Sequence, residues 1–160
     1  MIHLQPPNKT SIHRYKVFLA GSIEMDKAER WQDDVVDSLT GYDIVVANPR
    51  RDDWDPSITQ SKDDPDFSEQ VNWELSNIET SQIVFFYFQP DTVSPISLLE
   101  LGMVLEKNQR GQEVIVCCPP GYFRKGNVDI ICERYGVRVF DDLHKAVVKL
   151  KQYVHYMIGG

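Results

Sequence analysis

The sequence predicts an α/β domain in which a parallel sheet of five strands is covered by helices on both faces. Three observations carry that reading. Short runs rich in Val, Ile and Phe alternate along the 160 residues with longer segments of helical periodicity. The runs DIVVAN, QIVFFYF and EVIVCC are apolar almost throughout rather than at every second residue, as in strands buried on both faces. A hydrophobic content of 42% and a charged content of 26% are ordinary for one globular domain with a real core.

The elements follow in order. Residues 1–14 are polar and contain Pro6 and Pro7, which predicts a loosely held lead-in before a single domain over 15–156. YKVFLA (15–20) is the first strand and stops at Gly21-Ser22. Ala28, Trp31, Val35, Val36 and Leu39 fall at helical spacing and predict a helix from Lys27 to about Leu39. DIVVAN (43–48) is the second strand, broken by Pro49. The stretch 48–66 is charged and proline-containing, a long loop of the kind that in compact domains is functional or disordered. Asp66-Phe67-Ser68-Glu69 has capping-box spacing and predicts a helix to about Thr80.

QIVFFYF (82–88) is the third strand. A helix follows from Pro95, with Ser94 as its cap and Pro95 at the favoured first position. EVIVCCP (113–119) is the fourth strand. A short helix over 126–136, a strand VRVF (137–140) and a helix over about 141–155 complete the chain. Five such strands predict the doubly wound, flavodoxin-like order 2-1-3-4-5, in which ligands bind beyond the carboxyl ends of the strands. The segments after the strands are therefore the candidate site: Gly21-Ser22, Asn48 to Asp53, Gln89 to Ser94 and Pro119 to Asn127.

A net charge of −7 argues against binding a nucleic-acid polymer, though not against a nucleoside. No apolar run approaches the roughly 20 residues that cross a bilayer, and no leader pattern precedes the domain. Cys117, Cys118 and Cys132 have no metal-ligand spacing and read as reduced core thiols in a cytoplasmic protein. The histidines, His3, His13, His144 and His155, lie in the lead-in or the last helix, which argues against a serine–histidine–acid triad. No glycine fingerprint, phosphate loop or nucleophile elbow is present.

One helix is anomalous. SPISLLELGMVL is apolar nearly all round, yet Glu100 has Ile96, Ser97, Met103 and Val104 as its neighbours three and four residues away. A carboxylate there is either paired structurally, with an arginine or a backbone amide, or a desolvated nucleophile or acid–base group. Gly102 suggests that this helix lies close against the sheet or a partner. Glu74 borders the apolar stripe of the preceding helix, as a solvated edge residue or as a proton donor to chemistry at Glu100. The loop Asn48-Pro49-Arg50-Arg51-Asp52-Asp53-Trp54 either binds a flat heterocycle or pairs its charges with one another.

The segments VFLAGSI, NPRRDDW, VNWEL, SPISLLELG and RKGNVDIICERYGV, in that order over about 15–145, resemble the nucleoside 2-deoxyribosyltransferase superfamily, closest to its nucleoside 2-deoxyribosyltransferase-like branch. The resemblance implies exchange of nucleobases on 2′-deoxynucleosides through a covalent deoxyribosyl–glutamate, with no metal or organic cofactor. It makes Glu100 the nucleophile and Glu74 the group that binds or protonates the base. Gly21, Ser22, Asn48, Arg50 and Asp53 would then line the base side, with Phe18 on the first strand near the nucleophile. Ser94 and Asn127 would lie at the sugar, Asn127 donated by a neighbouring subunit of a homo-oligomer.

Two positions depart from the better-known transferases, which carry tyrosine at Phe18 and aspartate at Ser94. Both residues look more like the 2′-deoxynucleoside 5′-monophosphate N-glycosidases, whereas Asn127 looks like the transferases. The alternatives are that hydrolase, an NAD-cleaving hydrolase on a related fold, or a nucleotide-sensing module without turnover.

Overall fold

The computed structural model describes all residues except 11–13, 25–27, 54, 56, 108–110 and 160. Its strands are β1 (Ile2–Leu4), β2 (Lys16–Gly21), β3 (Val45–Ala47), β4 (Ile83–Tyr87), β5 (Glu113–Cys117) and β6 (Val139–Phe140). The helices are α1 (Trp31–Ser38), α2 (Pro65–Thr80), α3 (Pro95–Lys107), α4 (Lys125–Arg134) and α5 (Leu143–Gly159). Among the described residues the strands form one parallel sheet in the order β1-β3-β2-β4-β5-β6.

The expected count of five strands is thus corrected to six. The five strands read from sequence keep their relative order, and the added strand is β1, which pairs with β3 in register Ile2↔Val45 and Leu4↔Ala47. The loosely held lead-in is corrected with it, because Leu4 is buried and Asn48 N–H donates to Leu4 O at 2.9 Å. Asn8 O also accepts from Trp73 Nε1 at 2.7 Å. Three residues with one buried leucine carry no readable period, so only the waiting edge of β3 makes them a strand.

Period-2 alternation divides the core. Phe18, Ala20, Val84, Phe86, Val114 and Val116 face α2, α3 and α4, where they meet Trp73, Leu101, Val104 and Val128. Val17, Leu19, Phe85, Ile115 and Cys117 face α1 and α5, where they meet Trp31, Val35 and Leu150. Both faces of the sheet are therefore dry, as the continuous apolar runs require. Each large side chain so buried contributes about 1.5–3 kcal/mol.

Helix starts differ in detail from the sequence reading. The described α1 begins at Trp31. The cap of α2 is Asp64, whose carboxylate accepts from Asp66 N–H and Phe67 N–H, with Pro65 at the first position. Asp64-Pro65 outcompetes the capping box because proline presets the first helical φ. Among the described residues Gly102 has nothing within 4 Å of where its Cβ would stand, so the suggested close approach to the sheet is absent among them. Cys117, Cys118 and Cys132 are free and buried. Among the described residues no helix is long and apolar enough to cross a membrane.

Candidate active site

The carboxyl ends of β2 and β4 meet at Gly21, and the backbone there explains the glycine. Gly21 has φ +143°, and a Cβ would stand 2.2 Å from Tyr87 O. Any side chain would force the two strands apart. The chain then turns so that Ser22 N–H donates to Tyr87 O at 3.0 Å and Trp31 Nε1 donates to Ser22 O at 2.9 Å.

That turn places the fully buried Ser22 hydroxyl against the segment leading into α3. Ser22 Oγ lies 2.7 Å from Thr92 Oγ1 and 2.7 Å from Ser94 Oγ, and the latter two are 3.0 Å apart. Thr92 Oγ1 donates to Gln89 O at 2.8 Å, while Gln89 N–H donates to Ser22 Oγ at 2.9 Å. Ser94 has φ +46° and its O accepts from Leu98 N–H at 3.2 Å, so it caps α3 through its backbone while its hydroxyl joins the cluster. Glu24, also at positive φ, reaches across from the turn after β2. Its Oε1 accepts from Val93 N–H and, at 2.7 Å, from Ser94 N–H. Tyr122 holds the same turn from the other side through a 2.7 Å bond from its hydroxyl to Val93 O.

Glu100 lies six residues beyond Ser94, about 9 Å along the helix. It is only 8% exposed, and among the described residues its carboxyl makes no hydrogen bond or ion pair. Burial first, and the charge of Glu74 second, push it up to about 8. Glu74 is pushed up to about 7 by burial, opposed by a hydrogen bond from Gln70. Gln70 Nε2 donates to Glu74 Oε1 at 2.7 Å and to Pro49 O at 3.2 Å. Two acceptors fix that amide's orientation and leave Gln70 Oε1 buried without a partner among the described residues. Two acids whose protons are mutually dependent therefore stand near one another.

The other expected residues fall in less open places. Phe18 is buried, its ring centroid 6.4 Å from that of Trp73. Asn48 is buried, its Oδ1 accepting from Arg50 N–H and its Nδ2 lying 3.2 Å from His3 Nε2. Arg50, 2% exposed, donates to Ala28 O, Glu29 O and Gln32 Oε1 at 2.9, 2.6 and 3.1 Å. Its guanidinium fastens the loop to the segment before α1. Asp53 is exposed and pairs with Arg51 at 2.9 Å, and Asp52 pairs with Arg30 at 2.7 Å. Much of the loop's charge is thus neutralised within the chain. Trp54 and His13 lie outside the described residues. Asn127 is exposed on α4.

A family model described as nucleoside 2-deoxyribosyltransferase like matches residues 14–122. The chain belongs to that family. No curated protein matches it. The matched span of this nucleoside 2-deoxyribosyltransferase-like chain includes the Gly21–Ser22 turn, Glu74, Ser94 and Glu100, and it stops short of Asn127. Among the described residues no group of three or more His, Cys, Asp or Glu side chains could hold a metal ion.

Sequence reasoning missed Glu24, Gln70 and Thr92. Thr92 lies in a segment flagged for following a strand. Gln70 stands one helical turn before Glu74, and only the bond between them marks it. Glu24 has no local signal, because its partners are 69 and 70 residues away.

Proposed function

We propose that the chain is a nucleoside 2-deoxyribosyltransferase, exchanging the base of a 2′-deoxynucleoside through a deoxyribosyl–glutamate intermediate. The observation that carries this is Glu100, a buried carboxyl without a hydrogen-bond or ion-pair partner among the described residues, beside a second carboxyl of raised proton affinity. A structural carboxylate this buried would be paired.

The empty pair shares one proton between the limits at about 7 and about 8, and the productive form places it on Glu74. Glu100 carboxylate attacks C1′, a C–O bond forms, and the C1′–N bond breaks with its electron pair leaving on the base. Glu74 gives that base its proton. A nitrogen of the incoming base then attacks C1′, displaces Glu100 as carboxylate and loses its proton to Glu74. Two inversions give net retention. The missing 2′-hydroxyl makes the oxocarbenium-like state easier to reach. The mechanism calls on no metal or organic cofactor.

Gly21, Ser22 and the 48–53 loop stand on the base side in this reading, and Ser94 and Asn127 on the sugar side. A homo-oligomer would bring Asn127 to a neighbour's sugar. The exposure of Val93, Ile96, Leu99, Phe123 and Ile130 along α3, α4 and the turns before them supports such an assembly. The protein would act in the cytoplasm on small molecules.

The deciding experiment incubates the protein with deoxyinosine and adenine and follows deoxyadenosine by chromatography, beside Glu100→Gln. Exchange by the wild type and its loss in a folded variant are expected. Full activity in Glu100→Gln ends the assignment. The hydroxyl cluster favours one second reading, a 5′-monophosphate N-glycosidase, since serines can also surround a phosphate.

A further inference from the structure

The sheet is notched beside β5. That strand pairs with β4 over all five residues, but with β6 only at Val116↔Val139 and Cys117↔Phe140. The reason is local: α4 ends at Arg134, and the chain turns through Gly136 at φ +69° before it reaches β6. Among the described residues no strand therefore lies beside Glu113–Ile115 on that side. The notch is a cleft of about 510 Å³, lined by Val114, Ile115, Val137 and Phe140 and walled by α5. That volume is in the range of small-molecule sites. Its α5 wall belongs to the face of the sheet opposite α2 and α3, the helices that carry Glu74 and Glu100.

Three cations, Arg138, Lys145 and Lys149, line this cleft, and among the described residues none of them makes an ion pair. The chain has 24 acidic residues against 17 basic ones, so partners are not scarce. The acids nearby are engaged elsewhere. Asp141 pairs with Lys125 at 3.0 Å, Asp142 Oδ1 accepts from Lys145 N–H at 2.9 Å, and Glu113 interacts with the Tyr153 hydroxyl. Two of the cations rest on rings instead, Arg138 at 4.8 Å from the Phe140 centroid and Lys149 at 4.3 Å from that of Tyr153. Lys145 and Lys149 stand one turn apart on one face of α5, where like charges repel. Lys145 also lies in the first turn of that helix, where the dipole disfavours a cation. Neither placement serves the fold, and an anion in the cleft would relieve both. A second cleft of about 490 Å³ lacks this imbalance, because its cation Lys107 is paired with Glu79 at 3.1 Å. Arginine forks and lysine point charges are the groups that hold phosphate. Tyr135 and Val148 leave apolar surface exposed in the same cleft.

We propose that the cleft between β5 and α5 binds a phosphate-bearing small molecule with a flat apolar body, of the chemical type of a nucleoside triphosphate. Arg138, Lys145 and Lys149 take the phosphates, and Tyr135 and Val148 take the ring. The site is separate from the Glu74–Glu100 pair and stands whatever chemistry that pair performs.

The test is calorimetry with ATP, tripolyphosphate, adenosine and a polyglutamate peptide, on the wild type and on the double variant Lys145→Gln, Lys149→Gln. Hydrogen exchange locates what ATP protects. ATP is expected to saturate the wild type below about 1 mM and to bind more tightly than tripolyphosphate. Adenosine and polyglutamate should bind at least about 10-fold more weakly than ATP, and exchange should slow over 135–149. The double variant is expected to weaken ATP at least about 10-fold, the worth of one charge-assisted hydrogen bond. Its melting temperature without ligand should match or exceed the wild type's, since a like-charge pair is gone. Should it not fold, Lys145→Gln alone, at an exposed position, decides. ATP binding that the variant retains overturns the proposal, as does protection at the head of α3 instead, or no saturation by about 1 mM. Adenosine as tight as ATP removes the cations' role and overturns it too. Tripolyphosphate as tight as ATP upholds the phosphate contacts and overturns the ring contact. Polyglutamate tighter than ATP makes the cleft a dock for an acidic segment and overturns the small-molecule assignment.

Discussion

Arg50 and Glu100 are the two most instructive charges in the molecule, because both are buried and only one is satisfied. Arg50 is 2% exposed and donates to two carbonyls and an amide oxygen. Glu100 is 8% exposed, and among the described residues its carboxyl has no hydrogen-bond or ion-pair partner, while its neighbour Glu74 makes ionisation harder. A buried charge answered by the fold is scaffolding, and a buried acid left unanswered is a candidate for chemistry. The comparison reverses the first impression of the sequence, where the arginines stand in a ligand-like loop and Glu100 in a core-like helix.

The largest effect that bears on this contrast is Glu100→Gln. Under the proposed mechanism, loss of the Glu100 carboxylate should lower kcat for base exchange by about a thousandfold or more while the circular dichroism spectrum is kept. A merely structural Glu100 would instead show lost fold and kcat together. Arg50→Met comes next, and the order of losses should invert. It leaves buried acceptors unpaired and should destabilise by about 3 kcal/mol in urea melts, with activity falling in step with the folded fraction.

The third expectation is pH-dependent. Glu100 and Glu74 hold protons in the folded chain at pH values where the unfolded chain has released them. The stability they contribute is therefore present below about 4.5 and is lost as pH rises through about 7 and about 8. Melting temperature should fall across that window, and Glu100→Gln should flatten the fall, gaining a few kcal/mol at pH 9 but little at pH 5. A wild-type curve that is level from pH 5 to 9 would refute the raised pair. In kinetics the same pair gives a bell with its maximum between 7 and 8.

Gln70→Leu has a smaller effect. It removes the donor that favours ionised Glu74, so the alkaline limb of that bell should move upward with kcat at the optimum altered by only about threefold. An unmoved profile would show that Gln70 only ties α2 to the 48–53 loop. The smallest effect belongs to Asp53→Asn, where an exposed pair with Arg51 is lost. Melting should be unchanged, and a clear fall in kcat/KM would return Asp53 to the base side of the site.

The sequence by itself determined the α/β class, the relative order of the strands β2 to β6 and the anomaly of Glu100. Continuous apolar runs and helical stripes are local patterns, and a carboxylate among leucines is visible without coordinates. Tertiary structure decided what depends on distant partners. β1 exists because β3 offers it an edge, and Asp64 rather than Asp66 caps α2 because its side chain meets two amides there. Arg50 became structural because Ala28 and Glu29 bring carbonyls to it. Ser94, which reads as a helix cap in sequence, shares its hydroxyl with Ser22 and its amide with Glu24, each about 70 residues earlier. Hydrogen bonds act over about 3 Å in space and at any separation in sequence, so satisfaction of a polar group is the part of this protein that only folding could decide.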